Sequence, residues 1–172
     1  MSRDRGFTLL ELVITLIILG IVILMAHASY ENIMSSQSLS QRADKIYYTL
    51  RLAKTEAIKR NKRVYVHFCQ KNNLWKMGMT DLPACDCFTL NACQLDGIEY
   101  VDEMVDGKKL FIKKGDISFV GKQASYHALR FTTATGTVTI SNKNNQSLSI
   151  IQSAMRLRIC SPDRAELGYS KC

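Results

Sequence analysis

Six cysteines, three histidines and a lone glutamate in an apolar run are the side chains of this 172-residue sequence with chemistry to explain. Cys69, Cys85, Cys87, Cys93, Cys160 and Cys172 are even in number, and an oxidising compartment would join them in up to three disulfides. Each closure would contribute roughly 2–4 kcal/mol. Cys160 with Cys172 is the pairing that would pin the C-terminal tail, and the partners of the other four stay open. Cys85-Asp86-Cys87 with Cys93 makes C-x-C-x5-C, which lacks the spaced pairs of common zinc sites, so no metal is expected. His67 and Cys69 would share one sheet face at i, i+2 but have no third, orienting group. A disulfide and a surface histidine account for them. Gly-x-Ser-x-Gly, phosphate-loop, His-Glu-x-x-His and dinucleotide signatures are absent from the sequence, so no catalytic residue, cofactor or enzymatic activity is expected.

The formal net charge is +8, and the basic side chains cluster. Lys59, Arg60, Lys62 and Arg63 form one group, Lys108, Lys109, Lys113 and Lys114 a second, and Arg156, Arg158, Arg164 and Lys171 a C-terminal third. On a strand Arg156 and Arg158 would share a face, their Cα atoms about 6.6 Å apart, with Met155, Leu157 and Ile159 turned inward. Two guanidiniums on such a backing suit phosphate contact without base readout. A solvated face, or pairing of these arginines with Asp163 and Glu166, explains the same residues without a ligand. The acidic stretch Asp96–Asp106 is expected to be flexible and to lie away from any bound duplex.

The elements that carry these groups begin with Phe7–Ala26, twenty residues whose single ionisable side chain is Glu11. Such a helix would be about 30 Å long, enough to cross a bilayer. The polar leader Met1–Gly6 contains Arg3 and Arg5, which hold the N-terminus on the cytoplasmic side. Ala26-His27-Ala28 also fits a secretory cleavage site, which would leave a mature chain beginning at Ser29. Against it stand the length of the apolar run, the carboxylate inside it and the helix-compatible sequence beyond.

Gly6-Phe7-Thr8-Leu9-Leu10-Glu11-Leu12 resembles the processing site of type IV pilins and type II secretion pseudopilins. The resemblance implies cleavage after Gly6 by a prepilin peptidase and N-methylation of Phe7. It also implies a pairing of Glu11 with the N-terminal amine of a neighbouring subunit during assembly. A carboxylate in hydrocarbon is costly, so a cation supplied by another subunit favours ordered bundling. Snorkelling of Glu11 to the interface is the plainer alternative.

Between His27 and Arg60 there is neither proline nor glycine, and Ile33, Ile46, Leu50, Ala53, Ala57 and Ile58 recur near helical spacing. The helix is therefore expected to run on as an amphipathic segment with one face on a globular head. After Asn61 the period changes to two, starting with Val64, Val66 and Phe68. Further strands are expected at 74–80, 98–102, 110–113, 117–120, 128–132, 137–141, 147–151 and 155–160, with a hairpin turn at Gly136. The fold class is α+β: a long N-terminal helix, transmembrane then amphipathic, packed on an antiparallel β-rich head. Residues 1–6 are the leader, 7–26 the transmembrane and assembly helix, 27–61 its continuation and 62–172 the head.

Leu50–Asn61, Leu129-Arg130-Phe131 and Gly136 resemble the GspH/FimT branch of minor pilins and pseudopilins. Met155–Cys160 resembles the C-terminal Arg-x-Arg segment of FimT-type minor pilins, some of which bind DNA during natural transformation. The resemblance implies a single-pass inner-membrane protein with a periplasmic head, later part of a pilus or pseudopilus. Its implied partners are other major and minor pilins through the N-terminal helix, prepilin peptidase, inner-membrane lipid and double-stranded DNA. The alternative is a minor subunit of a type II secretion pseudopilus with no DNA binding.

Overall fold

The computed structural model describes residues 8–113, 115–127 and 134–172, and of residues 24–29 the backbone alone. The chain divides between Met34 and Ser35 into two compact units. Helix α1 runs Leu9–Arg60, and ten strands follow among the described residues. They are β1 (Val64–Lys71), β2 (Leu74–Thr80), β3 (Gln94–Leu95), β4 (Ile98–Glu99), β5 (Val101–Val105), β6 (Leu110–Phe111), β7 (Gln123–Tyr126), β8 (Gly136–Asn142), β9 (Ser147–Gln152) and β10 (Leu157–Cys160). One four-stranded sheet has the order β5-β2-β1-β7 and another β10-β9-β8-β6, and β3 and β4 form a hairpin. Every strand pairing is antiparallel.

Both ends of α1 are specified locally. Glu11 N donates to Thr8 Oγ1 at 3.3 Å, and Thr8-x-x-Glu11 has capping-box spacing. At the other end Asn61 takes φ 51°, Asn61 N donates to Ile58 O and Lys62 N donates to Ala57 O. That pair of bonds satisfies the last carbonyls as a Schellman closure does, with asparagine in place of glycine. Lys59 and Arg60 sit in the last turn, where the negative end of the helix dipole favours cations.

In the second unit the buried stripe of α1 is Leu39, Ala43, Ile46, Leu50, Ala53 and Ala57, stepping by four and three residues alternately. Ile33 and Ile58, expected on this face, are 59% and 54% exposed. They fall outside that alternation, and Leu39 and Ala43 fill the inner face instead. The stripe shares one core with Val64, Val66 and Phe68 of β1, Met77 and Met79 of β2, and the apolar face of the second sheet. There Val138 faces Ile150 and Ile140 faces Leu148. On the opposite side Thr139 bonds Ser149 at 2.8 Å and Ser141 bonds Ser147 at 2.9 Å. Period-two burial therefore sets the register of the β8–β9 pair.

Several expected elements differ. Gly136 opens β8 opposite Gln152 rather than making a hairpin turn. A Cβ there would enter the ring of Phe119, so the need is for space against an aromatic. Ile117 makes one isolated bridge to Val138, and Val120–Lys122 is a 3-10 turn around Gly121 at φ 65°, so 117–120 is not a strand. The strand expected at 98–102 divides into β4 and β5. β10 begins at Leu157, two residues later than expected. The segment 128–132, including Leu129-Arg130-Phe131, lies outside the described residues.

Candidate functional site

Of the N-terminal site, Thr8 and Glu11 are described, and Gly6 and Phe7 lie outside the described residues. In this first unit the large apolar side chains from Leu9 to Ile23 are all exposed, between 43% and 83%. Glu11 is exposed among them, three residues beyond the capping Thr8. Among the described residues no helix is long and apolar enough to cross a membrane. Leu9–Ile23 is shorter than the ~20 residues a crossing needs, and the expected span 7–26 extends past it at both ends.

The six cysteines pair as Cys69–Cys87, Cys85–Cys93 and Cys160–Cys172. Cys69–Cys87 binds the segment after β2 to the outer face of the first sheet, where Tyr65, His67 and Cys69 point, and Cys85–Cys93 closes a loop within that segment. The sulfurs of Cys85, Cys87 and Cys93 lie within 4.8 Å of one another. All three are oxidised in disulfides, so this cluster presents no thiolate to a cation. Gly78 of β2 lies directly beneath it, where a Cβ would sit 2.5 Å from Cys93 Sγ. The segment is also closed on itself by hydrogen bonds to Asp86. Phe88 N donates to Asp86 Oδ1 at 3.0 Å and Thr89 Oγ1 to Asp86 Oδ2 at 2.8 Å. These two bonds hold the Asp86 carboxyl below its usual range.

His67 is not a surface histidine. It is 8% exposed, its Nε2 is 3.5 Å from Leu82 O, and burial lowers its pKa. The covering segment 81–93 accounts for this, and nothing in the local sequence signals it. Lysines also meet aromatics here: Lys71 and Lys76 lie 5.9 and 5.0 Å from the Phe88 ring, and Lys122 lies 5.1 Å from Trp75. The sequence gives no spacing signal for these contacts, because Phe88 and Trp75 belong to different segments.

At the C-terminus Arg156, Arg158, Arg164 and Lys171 are all exposed. Arg156 ends a turn in which Ser153 N donates to Arg156 O at 2.8 Å and Arg156 N donates to Ser153 Oγ at 3.1 Å. Met155, expected to face inward, is 82% exposed, since it belongs to this turn and not to the strand. Leu157 and Ile159 do pack against the core. Arg158 Nη2 donates to Cys172 O at 3.4 Å, and Arg164 Nε is 2.6 Å from Glu166 Oε1. The Cys160–Cys172 bridge closes the tail, Cys172 N donates to Ser161 O at 2.9 Å, and Ser161 bridges Lys171.

The acidic stretch is held against α1. Lys45 Nζ lies 2.5 Å from Asp102 Oδ1, Arg42 Nη1 donates to Glu103 O at 2.7 Å, and Arg60 pairs with both Asp96 and Glu56. Asp106 Oδ1 accepts from the backbone of Lys108, Lys109 and Leu110. These acids neutralise part of the basic helix, so the stretch expected to be flexible is tied to α1 at Asp96, Asp102 and Glu103.

Residues 1–26 match the prokaryotic N-terminal methylation motif, and residues 42–165 match the family described as type II transport protein GspH. The chain belongs to the GspH family. Its N-terminus thus carries a methylation motif and its head a type II transport domain. Comparison with solved structures finds the type IV minor pilin FimU of Pseudomonas aeruginosa at 14% identity and TM-score 0.48, covering 74% of this chain and 94% of that one. It also finds the minor pseudopilin EpsH from the type 2 secretion system of Vibrio cholerae at 16% identity and TM-score 0.48, covering 73% of this chain and 98% of that one. A search of curated proteins found no match.

Proposed function

We propose that this chain is a minor pilin of a type IV pilus. A prepilin peptidase cuts after Gly6 and N-methylates Phe7. Residues 7–26 anchor the subunit in the inner membrane, residues 27–61 continue the helix, and the head, residues 62–172, stands in the periplasm. The subunit then enters the filament beside other major and minor pilins. The match of residues 1–26 to the methylation motif carries this reading.

The exposed apolar flank Leu9–Ile23 supports it, because that surface is stable only against lipid or neighbouring helices. Glu11 then has two duties, the N3 position of the cap at Thr8 and a charge that costs about 2.5–3.5 kcal/mol in lipid unless a cation meets it. The variant Glu11→Gln separates them, since glutamine keeps the capping geometry and loses the charge. Gly6→Ala is expected to block processing, and Glu11→Gln to abolish incorporation into sheared filaments. Normal incorporation of the glutamine variant would contradict the charge mechanism.

A second role, binding of double-stranded DNA at the pilus, is supported by exposed Arg156 and Arg158 beside a disulfide-closed tail. Arg164 and Lys171 extend the patch, although Glu166 offsets Arg164. Binding would be sequence-independent and would weaken steeply with salt. The full chain in detergent, titrated with duplex DNA, tests it. A chain that binds no DNA at low salt would instead favour a minor pseudopilin of type II secretion.

A further inference from the structure

Cys69 of β1 and the three cysteines of the segment that covers it are interlaced. In chain order the first pairs with the third and the second with the fourth, Cys69 with Cys87 and Cys85 with Cys93. Pairing neighbours in sequence would give Cys69–Cys85 and Cys87–Cys93 instead. The sulfurs of Cys85, Cys87 and Cys93 lie within 4.8 Å of one another, so each bridge sits within reach of the other. Burial divides the cysteines. Cys87 is 3% and Cys93 0% exposed, whereas Cys69 and Cys85 are half-buried. Each bridge thus joins a half-buried cysteine to a buried one, and the sulfurs of the two buried ones lie within 4.8 Å of each other.

We propose that these cysteines form a single thiol–disulfide exchange unit, entered at Cys85 and relayed through Cys93 and Cys87 to Cys69. The co-reactant is an external thiolate, from a small thiol or from the dithiol of an oxidoreductase. It attacks Cys85 Sγ, forming a mixed disulfide, and the Cys85–Cys93 bond breaks with the electron pair leaving on Cys93. The Cys93 thiolate then attacks Cys87 Sγ, a Cys87–Cys93 bond forms, and Cys69 leaves as the thiolate. One disulfide is lost, one mixed disulfide is gained, and no net oxidation occurs. Attack of the Cys69 thiolate on Cys85 Sγ then releases the external thiolate and leaves Cys69–Cys85 with Cys87–Cys93. The same three exchanges in reverse take a chain paired between sequence neighbours to the interlaced bridges. Buried Cys93 is a poor place for an anion, and the half-buried Cys69 a better one, which drives the second step forward. Gly78 keeps the crossing open, because a Cβ would lie 2.5 Å from Cys93 Sγ and 3.2 Å from Cys87 Sγ. Cys160–Cys172 closes the tail separately, bonded at Ser161, and takes no part.

The test uses the full oxidised chain in detergent with limiting glutathione as the thiol. After an acid quench, the chain is denatured, alkylated and mapped by mass spectrometry. Molecules carrying glutathione on Cys85 are expected to carry the alkyl group on Cys69, with Cys87 joined to Cys93. Alkylation confined to Cys93 in those molecules would overturn the relay. A Cys69→Ser, Cys87→Ser double variant supplies a second reading, because Cys93 then has no disulfide to attack. In that variant the alkyl group must appear on Cys93. If the wild type gives the same pattern as this variant, the relay is wrong.

Discussion

The hydroxyl of Tyr169 donates a 3.0 Å hydrogen bond to Asp44 Oδ1, joining positions 125 residues apart. The C-terminal tail is therefore tied twice, covalently at Cys160–Cys172 and by this bond to the helix. The bond and burial both raise the Tyr169 pKa, burial foremost. Tyr169→Phe is expected to lower stability by about 0.5–1.5 kcal/mol in urea unfolding and to leave the disulfides intact. The wild type should also lose this contribution as pH rises above 10, because the raised folded pKa favours the neutral phenol below that point. An unchanged unfolding midpoint would deny the latch any energetic role.

His67 predicts the acid limb. Its pKa is lowered by burial, so the unfolded chain binds a proton near pH 6.5 before the folded chain does. Stability should therefore fall as pH drops below about 6.5, and flatten once the folded histidine also protonates. His67→Gln should remove that part of the slope. Unfolding midpoints between pH 4 and 8 for both proteins would show it.

Gly78→Ala tests the sulfur cluster. The new methyl would meet Cys93 Sγ at 2.5 Å and Cys93 Cβ at 2.9 Å, atoms that backbone and bridge hold in place. Overpacking of this kind costs roughly 1–3 kcal/mol, and closure of Cys85–Cys93 should fall in yield. Free-thiol counting on the purified variant reads the second effect directly.

The ion pairs between helix and acidic stretch should contribute little. Lys45 and Asp102 are 45% and 43% exposed, and Arg42 and Glu103 35% and 42%. A double-mutant cycle on Lys45 and Asp102 is expected to give under about 1 kcal/mol, shrinking with salt.

How much of this was legible follows from the range of each signal. The alternation in β1, β2, β8 and β9 is local, and those strands fall where period two puts them. The helix face was half legible: Ile46, Leu50, Ala53 and Ala57 are inward, but Ile33 and Ile58 are apolar and exposed. Hydrophobicity alone does not say where a head begins and ends along a helix. Gly136 and Met155 show the same limit, since the first depends on Phe119 and the second on a turn closed by Ser153. The interlaced bridges, buried His67 and the pairing of Asp96, Asp102 and Glu103 with α1 all depend on long-range contacts with no local trace. The short strand β7 reads as polar sequence, because Gln123 and Ser125 alternate with only Ala124 and Tyr126.

The N-terminal signature is the reverse case. Gly6, Phe7 and Glu11 form a contiguous motif, and their chemistry is read by another protein rather than by this fold. Intact-mass measurement of the mature chain tests that reading most directly. The expected mass is that of a chain beginning at Phe7 with one added methyl group. A chain beginning at Ser29 would contradict it, leaving no apolar helix to enter a filament.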